Sequence, residues 1–480
     1  MSKLEKFKPQ RVFKYFEEIC NIPHGSGDMI RIADYCVKFA RAHSLEFVRD
    51  AANNVVIYKP ATAGYENAEP VILQGHLDMV CQQTEDRNID FSAEGLDIFA
   101  DGDFVKARGT TLGADNGIAI AMMLAILESS EYKHPRIETV FTTDEEIGMV
   151  GAAKLDMSCL SARKMINIDA EEDESVTVSC AGGSDFQVSF PACRVKKSGT
   201  EVNVVLKGLQ GGHSGVEIDK GRVNANMLAG RFLNHMAGCA DFEIISIDGG
   251  DKGNAIPNLC KIKLCINDAE TFKNEAEKYL NVIKNEISDR EKDFAPLITL
   301  GENAEYEVFS GELKNIIIYT LLCAPNGIIE MSAEIKGLVE TSLNLGILKT
   351  GQNEVFLHFT LRSNKKSAME ALENKLKTFF GRFPCNAKVF GHYPPWEFKE
   401  NSVLQKLYIE TYKEITGNEP QVEAIHAGLE CGVFADSITG LDCIAIGPRL
   451  YDVHTVNEKM SISSTEKIFK ILTLLLEKCS

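Results

Sequence analysis

The chain has 480 residues, 44% of them hydrophobic, with 51 basic against 69 acidic side chains and a formal charge of −18. That length exceeds one ordinary hydrophobic core and predicts two or three domains. The apolar fraction is too low for a membrane protein, and Lys and Arg are scattered without a basic stripe, which argues against nucleic acid and anionic membrane as partners.

The N-terminal stretch MSKLEKFKPQRVFKYFEEIC is charged throughout and lacks the apolar core of a secretory signal. The fourteen cysteines are irregularly spaced, with no CxxC pair. Cys180, Cys260, Cys265 and Cys443 fall in apolar, strand-like runs. All fourteen are expected to be packing thiols in a reduced, cytoplasmic setting.

From residue 11 to about 185 short apolar runs alternate with helical segments. EPVILQGH, IETVFTT and KMINID read as strands, and GIAIAMMLAIL (117–127) reads as a buried helix beginning near Asn116, too short to span a bilayer. This pattern predicts an α/β domain with a mostly parallel sheet. The middle block changes style. It runs strand EVNVVLKGL, helix GRVNANMLAGRFLNHM, strands DFEIISIDGG and LCKIKLCIN, and helix AETFKNEAEKYLNVIKNEI. A similar order follows: strand YEVFS, helix ELKNIIIYTLLCA, strands TSLNLGILKT and EVFLHFTLRS, helix KKSAMEALENKLKTFF and strand NAKVFGHY. The middle therefore predicts two βαββαβ units in tandem. After 393 the first style returns with QVEAIHAGLECGVFADS, the strand DCIAIGP and a closing helix SSTEKIFKILTLLLEK. The expected organisation is a catalytic domain in two parts, 1–185 and 393–480, with an inserted α+β lid domain at 186–392.

The ends of the apolar runs carry the chemistry. VILQGHLDM ends on His76 and Asp78, ARGTTLGADNG delivers Asp115 to the helix start, and VFTTDEEIG ends on Glu145 and Glu146. KMINIDAEE ends on Asp169, and IAIGPRLYDVH leads to His454. Ligands of open α/β sheets bind beyond the carboxyl ends of the strands. Carboxylates and imidazoles gathered there suit a divalent metal, with Zn²⁺ the first choice. Five ligands exceed the three that one catalytic zinc takes and suit two metals sharing a carboxylate, a pair that can activate water and polarise a carbonyl together. Asp78, two residues past His76 on an extended segment, is placed to accept that imidazole's N–H. Glu145 and Glu146 point apart, so one can bind metal while the other serves as general base. The acidic run AEEDES after Asp169 is expected to be merely solvated.

GHLDMV, GADNG, DEEIG, NIDAE and the late VHT, in this order, resemble the cocatalytic zinc peptidases related to carnosinase, and within them the bacterial aminoacyl-histidine dipeptidase group. The resemblance spans essentially the whole chain, including HAGLECG at 426–432. It implies that His76 and Asp169 bind one zinc, Glu146 and His454 the other, and that Asp115 bridges them through a residue followed by a cis peptide. It implies Asp78 as the residue orienting His76 and Glu145 as the general base. In the middle block it implies that His213 of GLQGGHSG supports the oxyanion, that Asn254 and Arg362 hold the substrate's terminal carboxylate, and that Gly428 offers a backbone N–H. Ser214 is a poor nucleophile, because Val216 breaks the G-x-S-x-G elbow. The roles of His426 and Glu430 stay open.

The implied activity is a cytoplasmic dinuclear zinc dipeptidase, with Co²⁺ or Mn²⁺ as substitutes, acting on Xaa-His dipeptides including β-alanyl-histidine and tolerant of others. The chain would be a monomer or homodimer. The alternatives are a related metal-dependent deacylase of N-acyl amino acids, and a non-catalytic binding protein on the same fold.

Overall fold

The computed structural model describes residues 3–480, which divide into two compact units. The first comprises Met1–Cys180, Phe398–Ala424 and Leu429–Ser480; the second comprises Ala181–Glu397 and Ile425–Gly428.

The first unit is built on an eight-stranded sheet. In spatial order its strands are Glu46–Arg49, Val55–Lys59, Ile137–Thr142, Val71–His76, Lys164–Asn167, Asp442–Ala445, Ser175–Cys180 and Gln421–Ile425. The four central strands are mutually parallel, and antiparallel strands flank them. The pairing register sets His76 beside Thr142, Gln74 beside Asn167 and Asn167 beside Ala445. The carboxyl ends of these strands are therefore level, and the segments leaving them emerge side by side. Val71–His76 and Ile137–Thr142 are buried at every position, as strands covered on both faces must be. The helix Ala114–Glu128 is apolar all round and almost wholly buried, as an unpatterned apolar helix should be. Among the described residues no helix is long and apolar enough to cross a membrane.

The second unit is a nine-stranded antiparallel sheet. Along it lie Leu297–Phe309, Arg194–Leu206, Cys260–Ile266, Glu243–Gly249, Val339–Thr350, Glu354–Ser363, Gly182–Pro191 and Asn386–Tyr393, with Gly327–Met331 paired to Val339–Thr350. Helices Ala225–Ala237, Ala269–Ile287, Gly311–Cys323 and Lys366–Phe380 bury their apolar faces with the inward strand residues in one core, for example Phe232, Phe272, Ile317 and Leu376 against Phe186, Val204 and Phe359.

Two βαββαβ units are present, but they are nested rather than tandem. YEVFS ends the long strand Leu297–Phe309, which pairs with Arg194–Leu206 and closes the first unit. The strand that opens the second is Gly182–Pro191, which pairs with both Glu354–Ser363 and Asn386–Tyr393. The whole 194–309 unit is thus inserted after the first strand of its sister, and the two half-sheets join where Gly249 pairs with Leu348.

Among the described residues none of the fourteen cysteines forms a disulfide, and the four in apolar strands are buried. Cys193, Cys239 and Cys323 are exposed, so the expectation that every thiol is a packing residue does not hold. The acidic run after Asp169 is also more than a solvated stretch. Arg449 reaches Glu172, Asp173 and Glu174 at 3.4, 2.8 and 3.0 Å, and Lys467 meets the buried Asp173 at 2.6 Å. Buried charge must be paired, and here the pairing pins the loop after Asp169 to the segment that carries His454.

Candidate metal centre

Within the first unit the strand ends bring His76, Asp115, Glu146, Asp169 and His454 together. His76 Nε2 lies 3.1 Å from Asp115 Oδ1 and 3.4 Å from Asp169 Oδ1. His454 Nε2 lies 3.1 Å from Asp115 Oδ2 and 2.8 Å from Glu146 Oε1. The two oxygens of Asp115 thus face different imidazoles. One triplet is His76, Asp115 and Asp169; the other is His454, Asp115 and Glu146. Donor atoms of His76, Asp115 and Glu146 all fall within 4.8 Å of one another. A tetrahedral site with metal–ligand bonds of about 2.0 Å has edges of about 3.3 Å, so these separations fit donors around a cation.

The electrostatics point the same way. Burial opposes charge on His76, yet the Asp169 charge and hydrogen bonds with Asp115, Asp169 and Asp78 raise it well above an ordinary imidazole. Hydrogen bonds to Asp115 and Glu146 hold His454 up at about 11. Burial pushes Asp169 up to about 6 despite His76. Burial would raise Asp115 too, but its bonds to His454 and His76 take it far below the usual carboxylate range. Raised imidazoles packed against buried carboxylates make a charge pattern that suits a divalent cation.

Other groups hold the donors in place. The Asp78 carboxylate accepts from Ser26 Oγ at 2.9 Å and from the N–H groups of Glu145 and Glu146 at 3.0 and 3.2 Å. His76 Nδ1 sits 2.9 Å from the Asp78 carbonyl oxygen and 3.5 Å from its carboxylate. Asp78 therefore meets His76 first through its backbone, while its side chain anchors the turn bearing Glu145 and Glu146. The neighbouring Asp144, at φ 54°, turns away to accept from the Gly27 N–H. The Asp115–Asn116 peptide is cis. Asn116 Nδ2 then donates to Asp169 Oδ1 at 2.6 Å and to the Ile168 carbonyl at 2.8 Å.

Burial raises the Glu145 carboxyl well above its usual range; His76 opposes this, and the Asp169, Glu430 and Glu146 charges add to it. Glu430 is fully buried, bonded to Gln74 and to Thr142 Oγ1, and pushed up to about 8 by that burial. It belongs to a polar layer under the cluster in which Asn167 also donates to Gln74.

The other four predicted residues lie in the second unit. His213 and Arg362 converge on Gly215, where an added Cβ would sit 2.9 Å from His213 Cε1, 3.0 Å from Arg362 Nε and 2.5 Å from the His426 carbonyl oxygen. Arg362 is only 7% exposed, so it is no surface strand end. Its Nη1 donates to Tyr393 Oη at 3.0 Å, and its Nε is buried without a partner. His213 Nδ1 accepts from the N–H groups of Gly215 and Val216, both at 3.2 Å, which leaves the ring proton on Nε2 as a donor. Asn254 is exposed in side chain, and its carbonyl accepts from the Ser214 N–H. Gly428 is half-buried, two residues past His426. His426 is buried against Ser342 Oγ at 2.7 Å and Asn364 Oδ1 at 3.3 Å, so within this unit it supports rather than faces outward.

Glu458, Asn116 and Tyr393 are contributors that sequence reasoning passed over. Asn116 stands in GADNG beside Asp115 and was open to view; Glu458 reaches its partners from 343 or more positions away and leaves no local signal.

Residues 72–478 match the family described as Peptidase family M20/M25/M40. The chain belongs to that family. Over 482 aligned residues it is 38% identical to the cytosol non-specific dipeptidase of Escherichia coli (strain K12), covering 100% of this chain and 99% of that one. The solved aminoacylhistidine dipeptidase from Vibrio alginolyticus superposes with a TM-score of 0.88 at 36% identity, covering 99% of this chain and 98% of that one. The aminopeptidase PepT from Bacillus cereus, at 16% identity and a TM-score of 0.57 over 98% of this chain and 99% of that one, shares the fold. As a family M20 metallopeptidase the protein is a metal-dependent hydrolase.

Proposed function

We propose that the chain hydrolyses dipeptides with two divalent metal ions held by His76, Asp115, Glu146, Asp169 and His454, zinc first and cobalt or manganese as substitutes. The observation that carries this is Asp115, whose two carboxylate oxygens each face a different imidazole at 3.1 Å. Bound there, the ions would supply the electrophile for the scissile carbonyl and make a water more acidic.

The chain's own residues do the rest. Glu145, whose carboxyl burial raises above its ordinary range, takes the proton of the attacking water and returns it to the leaving amine. Asp78 keeps His76 and the Glu145 turn in register. The Arg362 guanidinium, buried with Nε unpaired, suits the terminal carboxylate of a dipeptide, a role the family resemblance gives to Asn254 as well. His213 Nε2–H and the Gly428 N–H suit the developing oxyanion. The second unit would thus act as the substrate-holding lid.

Similarity to one relative named for non-specific and another for aminoacylhistidine dipeptides supports Xaa-His substrates, β-alanyl-histidine included, with tolerance for others. The free thiols and the cytosolic relative support a cytoplasmic setting. The test is turnover of a dipeptide panel and of N-acyl amino acids, before and after chelation. Dipeptide turnover lost on chelation and restored by zinc is the expected result. Turnover of N-acyl amino acids alone would replace the dipeptidase reading with the deacylase one.

A further inference from the structure

The run Ala114–Glu128 is irregular at its start: Gly113 before it offers no capping side chain, and Asp115 and Asn116 have non-helical dihedral angles. The backbone N–H groups of this turn need acceptors from elsewhere. They receive them from one remote, buried carboxylate. Glu458 Oε2 accepts from Leu112 N at 2.7 Å and Gly113 N at 3.0 Å; Oε1 accepts from Ala114 N at 2.8 Å and Asp115 N at 3.4 Å. Four consecutive donors, ending with the residue that stands between the two imidazoles, are taken by a single side chain.

Glu458 follows His454 by four residues. The connecting stretch is internally tied: Thr455 N donates to the Asp452 carbonyl, Thr455 Oγ1 to the same carbonyl at 2.7 Å, Asn457 N to Thr455 Oγ1 at 3.1 Å and Glu458 N to the Thr455 carbonyl at 3.2 Å. Lys459, next in line, enters a strand paired with Phe104–Ala107. His454 itself has a left-handed φ of 62° and a side chain 47% exposed, so little packing orients it. The other imidazole is differently placed. His76 ends a fully buried strand, and Asn116 holds its neighbour Asp169.

We propose that Glu458 is a positioning residue that fastens the Asp115 turn to the His454 loop, so that the ion shared by Asp115, Glu146 and His454 depends on it more than the ion at His76, Asp115 and Asp169. The inference rests on the two-metal reading above. The two acceptor oxygens are essential to it, because an amide in the same place offers one acceptor and turns an NH₂ toward two backbone N–H groups.

The experiment is a calorimetric titration of the chelator-stripped full chain with Zn²⁺, for the parent, Glu458→Gln and Glu458→Asp, with circular dichroism and thermal unfolding of each metal-free protein. The parent should take two ions. Glu458→Gln should keep the first affinity near the parent value and lose roughly 10- to 100-fold in the second, the range seen when partners of metal ligands are removed. Glu458→Asp, which keeps both oxygens on a shorter arm, should fall between, and it carries the test if the Gln variant does not fold. Unchanged affinities, or equal loss at both steps with only a lower thermal midpoint, would overturn the proposal and leave Glu458 a structural anchor of the turn. A parent that takes fewer than two ions would instead overturn the two-metal reading itself.

Discussion

Asp78 is where a single substitution should be felt twice. Asp78→Ala removes the acceptor of the Glu145 and Glu146 N–H groups and of Ser26 Oγ, at a carboxylate that is about 1% exposed. A buried donor left unpaired costs about 1–3 kcal/mol. Ser26 can rotate its hydroxyl to another acceptor, so the two backbone groups set the scale at roughly 2–6 kcal/mol, a large part of a typical folding free energy. Asp78→Asn retains one acceptor oxygen and should lose about half as much. The same turn carries both the proposed general base and a proposed metal ligand, so metal affinity should also fall, by roughly 10- to 100-fold. Urea unfolding of the metal-free proteins measures the first effect, and activity as a function of free zinc measures the second. If Asp78→Ala stays within about 0.5 kcal/mol of the parent, the range of an ordinary surface change, and needs no more zinc for full activity, then Asp78 does not hold this turn.

Three further outcomes follow from the same geometry. Glu145→Gln should keep zinc binding near parent levels while lowering kcat by roughly 10²- to 10⁴-fold; near-parent kcat would remove Glu145 as the base. Arg362→Ala should raise KM for a dipeptide more than for its C-terminal amide, and equal effects on the two would remove the carboxylate assignment. Burial, together with the Arg362 charge, lowers His426 to about 3 from an ordinary 6.5. The unfolded chain then binds the extra proton first as pH falls through 6.5, so this residue should cost the folded state about 1.4 kcal/mol per pH unit between 6.5 and 3. An NMR titration should find the His426 ring neutral at pH 5, whereas a midpoint near 6.5 would show that its burial carries no such penalty.

How much of this was legible in the sequence differs from residue to residue. The strand ends were legible because each apolar run stops on a residue whose chemistry is out of place in a core: His76 after VILQG, Asp169 after KMINI. The parallel register then carries those residues to one edge without further information. The nesting of the two βαββαβ units was not legible. YEVFS reads as the opening strand of the second unit, and only the pairing of Gly182–Pro191 with two later strands shows that the opening strand lies before the first unit. Asp173 looked like one charge among several, because its burial depends on Arg449 and Lys467 more than 270 positions away. Glu458 was hidden for the same reason: a carboxylate accepting backbone N–H groups leaves no pattern at either end of the contact.

The most direct measurement is anomalous diffraction at the zinc absorption edge from crystals of the zinc-loaded protein. Two peaks should flank the Asp115 carboxylate, one within bonding distance of His76 and Asp169 and the other of Glu146 and His454. A single peak, or peaks away from these five side chains, would contradict the assignment of the cluster as a two-metal centre.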